Sequence, residues 1–286
     1  MKRTATIILA AVFFIAALGL TCYPIISNYV NNRYASEIHT AYEEVIQQTD
    51  NSDLLKAKEL AIAYNDAIRP GAAEEAYSQA VLLQASEDYE AQLNMGGNGI
   101  MGYVSIPKIQ VNLPIYHGTG ADSLERGIGH LLGSSLPIGG ADTHSILTAH
   151  SGMATQKMFS DLPQLAEGDV FYLNVLGETL AYQVNEIHTV LPYDTTYLAI
   201  EHGKDLCTLV TCTPFGINTH RLLVRGCRIP YEEAEVIEEI TVQEEVSSTW
   251  EQQYVKGLLI GLVLVLLIVI IFLAIRVIRR YYRGKN

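Results

Sequence analysis

The chain predicts a mainly β domain, an antiparallel barrel or sandwich, that follows a helical extension and lies between two apolar terminal segments. Three observations lead there. Beyond Ile100 the sequence breaks into short runs of alternating or wholly apolar residues set off by turn residues, the pattern of many short strands. Residues 31 to about 94 instead carry helix-forming residues with apolar positions at three- and four-residue spacing, as at Leu54, Leu55, Leu60 and Ile62. At the two ends, residues 4–20 are apolar or small, and residues 257–275 form an uninterrupted apolar run.

The second run is close to the ~20 residues a helix needs to cross a bilayer. Arg276, Arg279, Arg280, Arg283 and Lys285 follow it, and Lys2 and Arg3 precede the first run. Flanks rich in Lys and Arg stay in the cytoplasm, so both termini read as cytoplasmic and residues 21–255 as outside. A charged start and apolar middle also describe a signal peptide. The stretch before Tyr23 has no clear small-x-small cleavage site near its end, which favours an uncleaved anchor. Charge follows the same partition. Residues 21–255 hold all 31 acidic residues and 11 of the 19 basic ones, a formal charge of −20. Such a segment repels nucleic acid, whose binding depends on neutralised phosphates; the charge keeps an exposed domain soluble.

Along the helical extension, Asp50 or Ser52 stands where a cap is needed, and Arg69-Pro70-Gly71 breaks the helix. A second helical stretch covers 72–94, and the glycine-rich hinge MGGNG covers 95–99. Strands are expected within YVSIPKIQVNLPIYHG, over 145–150, on both sides of a Leu176-Gly177-Glu178 turn within 169–192, and in DLCTLVTC and HRLLVRGCRI. QKMFSDLPQL adds a helical turn. The acidic run 232–245 reads as a solvated stalk.

The four cysteines are Cys22, Cys207, Cys212 and Cys227. On a regular strand Cys207 and Cys212 lie ~16 Å apart, at ~3.3 Å per residue, and a disulfide needs Cα atoms within ~7 Å. If 206–212 and 220–228 pair as a hairpin with Cys212 opposite Arg221, Cys207 faces Gly226 and Cys227 points away, so that bridge is disfavoured too. The histidines lack the close pairing of a structural zinc site, which makes a metal reading weak. Cys207 shares a face with Leu209 and fits a core role. Cys212 ends its strand just before Thr213-Pro214-Phe215-Gly216, where the chain must turn, and strand ends at a barrel rim carry function. A nucleophilic cysteine needs a proton-transfer partner and a donor for the developing oxyanion. His150 ends another strand, and Arg221, on a returning strand, supplies a fixed cation with several donors. His144 begins the strand that His150 ends and is its closest competitor. His117 and His130 read as structural or rim residues, and Thr211 as packing. Asp142 and Asp194 are both available to assist His150.

Three blocks between Gly99 and Arg228 resemble the sortases, the cysteine transpeptidases of the Gram-positive surface. They are GIMGYVSIPKIQVNLPIYHGTG, GIGHLLGSSLPIGGADTHSILTAHSG and TLVTCTPFGINTHRLLVRG. The helical extension, two anchors and NTHRLLVRG are similar to class C, the pilin-polymerising group. The resemblance implies an eight-stranded closed β-barrel with the site at one rim. It implies that Cys212 attacks the Thr–Gly bond of an LPXTG-like sorting signal and forms a thioester. His150 is then the general acid and base, and Arg221 binds the signal and the oxyanion. The acceptor it implies is a lysine of the next pilin. A sortase that anchors proteins to peptidoglycan and a non-catalytic membrane scaffold are the alternatives. The organisation expected is an N-terminal membrane anchor or signal peptide (1–30), a helical extension (31–98), a catalytic barrel (99–231), an acidic stalk (232–255), and a transmembrane helix with a basic cytoplasmic tail (256–286). The class's Asp-Pro-aromatic lid motif has no counterpart, because no proline in the chain follows an aspartate.

Overall fold

The computed structural model of the chain describes residues 2–68, 89–153, 155–241 and 249–283. Residues 23–246 make one compact unit, and the two terminal segments make another. Helix α1 spans Lys2–Gln48 and α2 spans Asn51–Ala67. Asp50 takes the N-cap position of α2 in extended conformation, without a side-chain cap bond. Its carbonyl instead accepts the amides of Asp53 and Leu54. Most of the second helical stretch expected over 72–94 lies outside the described residues; 89–91 form a helical turn, and 95–99 turn as expected.

The strands are β1 (Ile100–Ile106), β2 (Val111–His117), β3 (Ile128–His130), β4 (Thr143–Thr148), β5 (Val170–Val175), β6 (Glu178–Val190), β7 (Asp205–Thr213) and β8 (His220–Ile229). They close into a barrel in the order β1-β2-β3-β4-β7-β8-β6-β5. The barrel is mixed rather than antiparallel, since β2 pairs β3 and β4 pairs β7 in parallel. The physical reason is connectivity. The chain leaves β4, builds β5 and β6 on the far side, and returns on β7 in the same direction. A short helix α3 (Ala121–Arg126) links β2 to β3.

Alternation along these strands fills the barrel with Val104, Ile106, Ile115, Leu147, Phe171, Leu173, Leu209 and Val224, all buried. A smaller buried cluster of Ile146, Val190, Val210 and Leu223 lies on the other face of β4, β6, β7 and β8, packed under Tyr197 and Leu198. The β5–β6 hairpin turns through Leu176 (φ +51°) and Gly177 (φ +78°). Two positive φ values match the right-handed twist of the flanking strands. Leucine adopts this conformation at a cost, and α1 offsets it. Tyr42 Oη accepts the Leu176 amide (3.0 Å) and donates to the Met101 carbonyl (3.3 Å). One hydroxyl thus ties the helix to β1 and to the hairpin, and burial pushes it up to about 12. Farther along, Asn65 of α2 exchanges two hydrogen bonds with the Leu136 backbone.

The acidic run after the barrel is not wholly a solvated stalk. Its first part is helix α4 (Tyr231–Thr241). Ala234 of this helix is fully buried among Val170, Tyr172 and Ala181, and Ile237 packs beside it. Ala234 and Ile237 are three apart and share a helix face, so the glutamates occupy the remaining faces. Residues 242–248 lie outside the described residues. Helix α5 spans Thr249–Arg283, and in its unit Tyr254 Oη donates to the Thr21 carbonyl. Among the described residues, one helix, Val12–Gln48, is long and apolar enough to cross a membrane; Tyr254–Val265 is a shorter apolar stretch.

Gly226 lies opposite Cys207 and Val184. A Cβ there would meet the Phe171 ring at 2.6 Å and Tyr182 Cβ at 3.0 Å, within a stacked pair of rings. Gly226→Ala is expected to destabilise the barrel by about 1–3 kcal/mol through overpacking, read from urea-denaturation midpoints.

Candidate active site

Strand pairing decides which residues meet. On one side of β7, β4 runs parallel with Thr148 beside Val210. The register continues past the strand's end, because the Ala149 amide donates to the Val210 carbonyl (3.1 Å) and Thr211 Oγ1 donates to the Ala149 carbonyl (2.8 Å). The next residue, His150, therefore comes alongside Cys212. On the other side of β7, Cys212 is directly opposite Arg221. Beyond Arg221 stands Val190 of β6. Neighbouring strands lie ~4.8 Å apart, and directly opposed residues share a face. His150, Cys212 and Arg221 thus form a row across three adjacent segments at one barrel end. Cys212, in step with Val210, shares the face of the smaller apolar cluster; Thr211 and Leu209 face the barrel interior.

Cys212 is a free, half-buried thiol, and Cys207, Cys227 and Cys22 are free as well. Cys207 faces Gly226, as the hairpin argument requires. Burial raises the Cys207 thiol well above its usual value. Arg221 Nη1 donates to the carbonyls of Asn218 (3.3 Å) and His220 (3.1 Å). These bonds hold the guanidinium against the β7–β8 loop.

The competing histidines are occupied elsewhere. His144 pairs with Leu206, ~20 Å along the strand from the His150 position. Its Nδ1 donates to the Ala199 carbonyl (2.8 Å), so Nε2 accepts from Thr208 Oγ1 (2.7 Å). His130 Nε2 donates to the Ser135 carbonyl (2.8 Å), and Nδ1 accepts from Tyr89 Oη (2.9 Å). His117 turns both ring nitrogens to the carbonyls of Gly99 and Gln92. His220 lies next to Arg221 and contacts Thr219 Oγ1. Asp142 binds the Gly203 amide and His202, and Asp194 binds the amide and hydroxyl of Thr196.

Sequence reasoning missed the frame around the β6–β7 loop. Arg225 is nearly buried and pairs with Glu186 on β6 and with Glu201 (2.6 Å) in the loop. Hydrogen bonds from Lys204 and charge from Arg225 hold Glu201 below its usual carboxylate value. The alternation of β8 was the available signal, since it places Arg225 on the same face as Leu223 and Arg221. Among the described residues, no group of three or more His, Cys, Asp or Glu residues is arranged to hold a metal ion.

A closed, mixed barrel of eight strands with a cysteine, a histidine and an arginine aligned at one end is the arrangement the coordinates define. The sortase domain family matches residues 104–229. Sortase D of Bacillus subtilis is 31% identical over 131 residues, covering 45% of this chain and 63% of that protein. Sortase A of Streptococcus agalactiae is 27% identical over 140 residues, 48% of this chain and 56% of that protein. The chain therefore spans less than two thirds of these two relatives. Solved structures match more fully. Sortase C1 from Streptococcus agalactiae has a TM-score of 0.62 and 45% identity, covering 68% of this chain and 98% of that one. Clostridium perfringens sortase C, solved with the C-terminal cell wall sorting motif, has a TM-score of 0.58 and 40% identity, covering 68% and 100%. The chain belongs to the sortase family, in its class C.

Two buried histidines give the fold a pH dependence. Burial lowers His130 from 6.5 to about 4, and it lowers His144 as well. The unfolded chain takes up these protons near pH 6.5 and the folded one does not. Stability is therefore complete above that pH and falls as pH drops from 6.5 towards 4. Between pH 7 and 4.5, His130 alone is expected to contribute a loss of about 2 kcal/mol. Unfolding free energies from urea titrations at the two pH values should fall less in His130→Gln than in wild type by that amount.

Proposed function

We propose that the chain is a membrane-anchored cysteine transpeptidase that polymerises pilins. The observation that carries the reading is the row of His150, Cys212 and Arg221, built by one parallel and one antiparallel register. The substrate is an LPXTG-like sorting signal; the Clostridium perfringens sortase C solved with the C-terminal cell wall sorting motif supports a sorting signal as the substrate class. The Cys212 thiolate attacks the threonine carbonyl carbon, and the oxyanion that develops is stabilised by the Arg221 guanidinium. As the C–N bond to glycine breaks, His150 gives its proton to the leaving amine, and a thioester remains on Cys212. His150 then takes a proton from an incoming pilin lysine amine, whose nitrogen attacks the thioester. An isopeptide bond forms, the sulfur leaves as the Cys212 thiolate, and His150 is again protonated. Every bond made or broken is served by side chains, so no metal or organic cofactor enters the scheme.

The expected domain organisation follows the same reading. Residues 1–30 anchor the chain, 31–98 extend it, and 99–231 carry the chemistry. Residues 232–255 lead to a second anchor, with the basic tail, at 256–286. Both ends then face the cytoplasm and the barrel lies on the outer side of a Gram-positive membrane.

The full-length chain in detergent micelles, incubated with an LPXTG peptide, is expected to gain an acyl adduct by intact-mass spectrometry. Cys212→Ala should show none. His150→Ala should slow both acylation and transfer, and Arg221→Ala should slow acylation by roughly 10²–10³, the effect of removing an oxyanion donor. A wild-type chain that stays unmodified with several sorting peptides, while its thiol still alkylates, would sink the transpeptidase reading. Adding a lysine-bearing pilin fragment should release the adduct as a branched product.

A further inference from the structure

The loop after His150 is closed at its base by the barrel and held at its middle by α1. At the base, the Phe159 amide donates to the His150 carbonyl (3.0 Å), and the Gly152 amide donates to Ser160 Oγ (3.0 Å). At the middle, Asn31 Nδ2 donates to the Thr155 carbonyl (3.1 Å), and the Lys157 amide donates to Asn28 Oδ1 (2.9 Å). Asn28 and Asn31 are three apart, on one helix face. Met158, the next residue, has φ +45° and is buried. A long side chain keeps this left-handed conformation only where its surroundings impose it. Cavities of about 170 and 130 Å³ flank the seam, and Asn32 and Met158 line both. Met158 and Phe159 anchor the loop in the core. Lys157 Nζ reaches the Ile109 carbonyl (2.8 Å) and Asp161 (2.7 Å), and Gln156 Nε2 donates to the Glu125 carbonyl (2.6 Å). The two asparagine bonds are the side-chain ties that reach the loop from α1.

We propose that Asn28 and Asn31 are positioning residues for His150. The same helix that carries the apolar N-terminal run holds loop 151–160, the loop's base holds the His150 backbone, and the backbone sets the approach of the imidazole to Cys212. This rests on the proposed role of His150 in transpeptidation. The two asparagines act with opposite polarity. Asn28 accepts, and aspartate retains that function. Asn31 donates, and an aspartate there would face a carbonyl with a second acceptor.

The test uses the full-length chain in detergent micelles and two readouts. One is the pH profile of Cys212 alkylation by iodoacetamide, located by peptide mass, which needs no substrate. The other is the rate of acylation by an LPXTG peptide. Asn28→Ala, Asn31→Ala and Asn31→Asp are each expected to move the alkylation profile. They should also lower kcat roughly tenfold with KM nearly unchanged, as for a displaced catalytic group. Asn28→Asp should track wild type in both. Superimposed profiles for all four variants, or an Asn28→Asp that behaves like Asn28→Ala, would overturn the inference. A wild type that alkylates but never acylates removes the transpeptidase reading, and the alkylation profiles still decide the positioning.

Discussion

Because β4 runs parallel to β7 at a constant offset, the chain leaving Thr148 emerges beside Cys212, and because β8 returns antiparallel, Arg221 stands on the other flank of the same cysteine. A slip of one residue in either pairing would turn one member of the row to the opposite face. Packing on both faces of β7 guards against that slip. Leu209 and Cys207 are buried in the barrel, and Val210 is buried in the smaller cluster outside it. The register of the neighbouring segments is thus maintained by apolar burial on both faces of β7, which continues up to Val190 beside Arg221.

The loops around the row are ordered by polar contacts that add to the packing of Tyr197 and Leu198 in one and of Met158 in the other. Arg225 ties the β6–β7 loop to Glu186 and Glu201, and the His144 ring reaches the same loop at Ala199. The loop after His150 is tied by Ser160 and by the asparagines of α1. Arg225 is the buried member of these sets, and removing its carboxylate partners would leave a buried charge unsatisfied, which costs more than the bond's net contribution. These frames are therefore more sensitive to substitution than their modest number of bonds suggests.

The extension and the acidic segment both serve the barrel more closely than their composition implies. Tyr42 offsets the left-handed Leu176 in the β5–β6 hairpin, and Asn65 acts as a surrogate backbone partner for Leu136. Helix α4 packs Ala234 and Ile237 against β5 and β6, and Tyr172 Oη donates to Glu238 (2.7 Å). Charge alone described this segment as a stalk; Ala234 and Ile237, at helical spacing, dock its first part on the sheet.

Much was legible in the chain before any coordinates. The short alternating runs located the strands to within about three residues, except the three-residue β3 (Ile128–His130), which is too short to show a period. Leu176-Gly177 marked the tight hairpin, and the spacing of Cys212 and Arg221 about one turn allowed the pairing that β7 and β8 make. These signals are local: period, turn chemistry and the length of a hairpin. Two parallel pairings, β2 with β3 and β4 with β7, were not legible, because partners far apart in sequence leave no periodic trace. That is why His150 and His144 remained competitors on one strand until the crossover set which end of β4 meets Cys212. The same holds for Asn28 and Asn31, whose partners at Lys157 and Thr155 are more than a hundred residues away. Amide side chains on a helix carry no pattern of their own; only the packing of α1 on the barrel gives them a function.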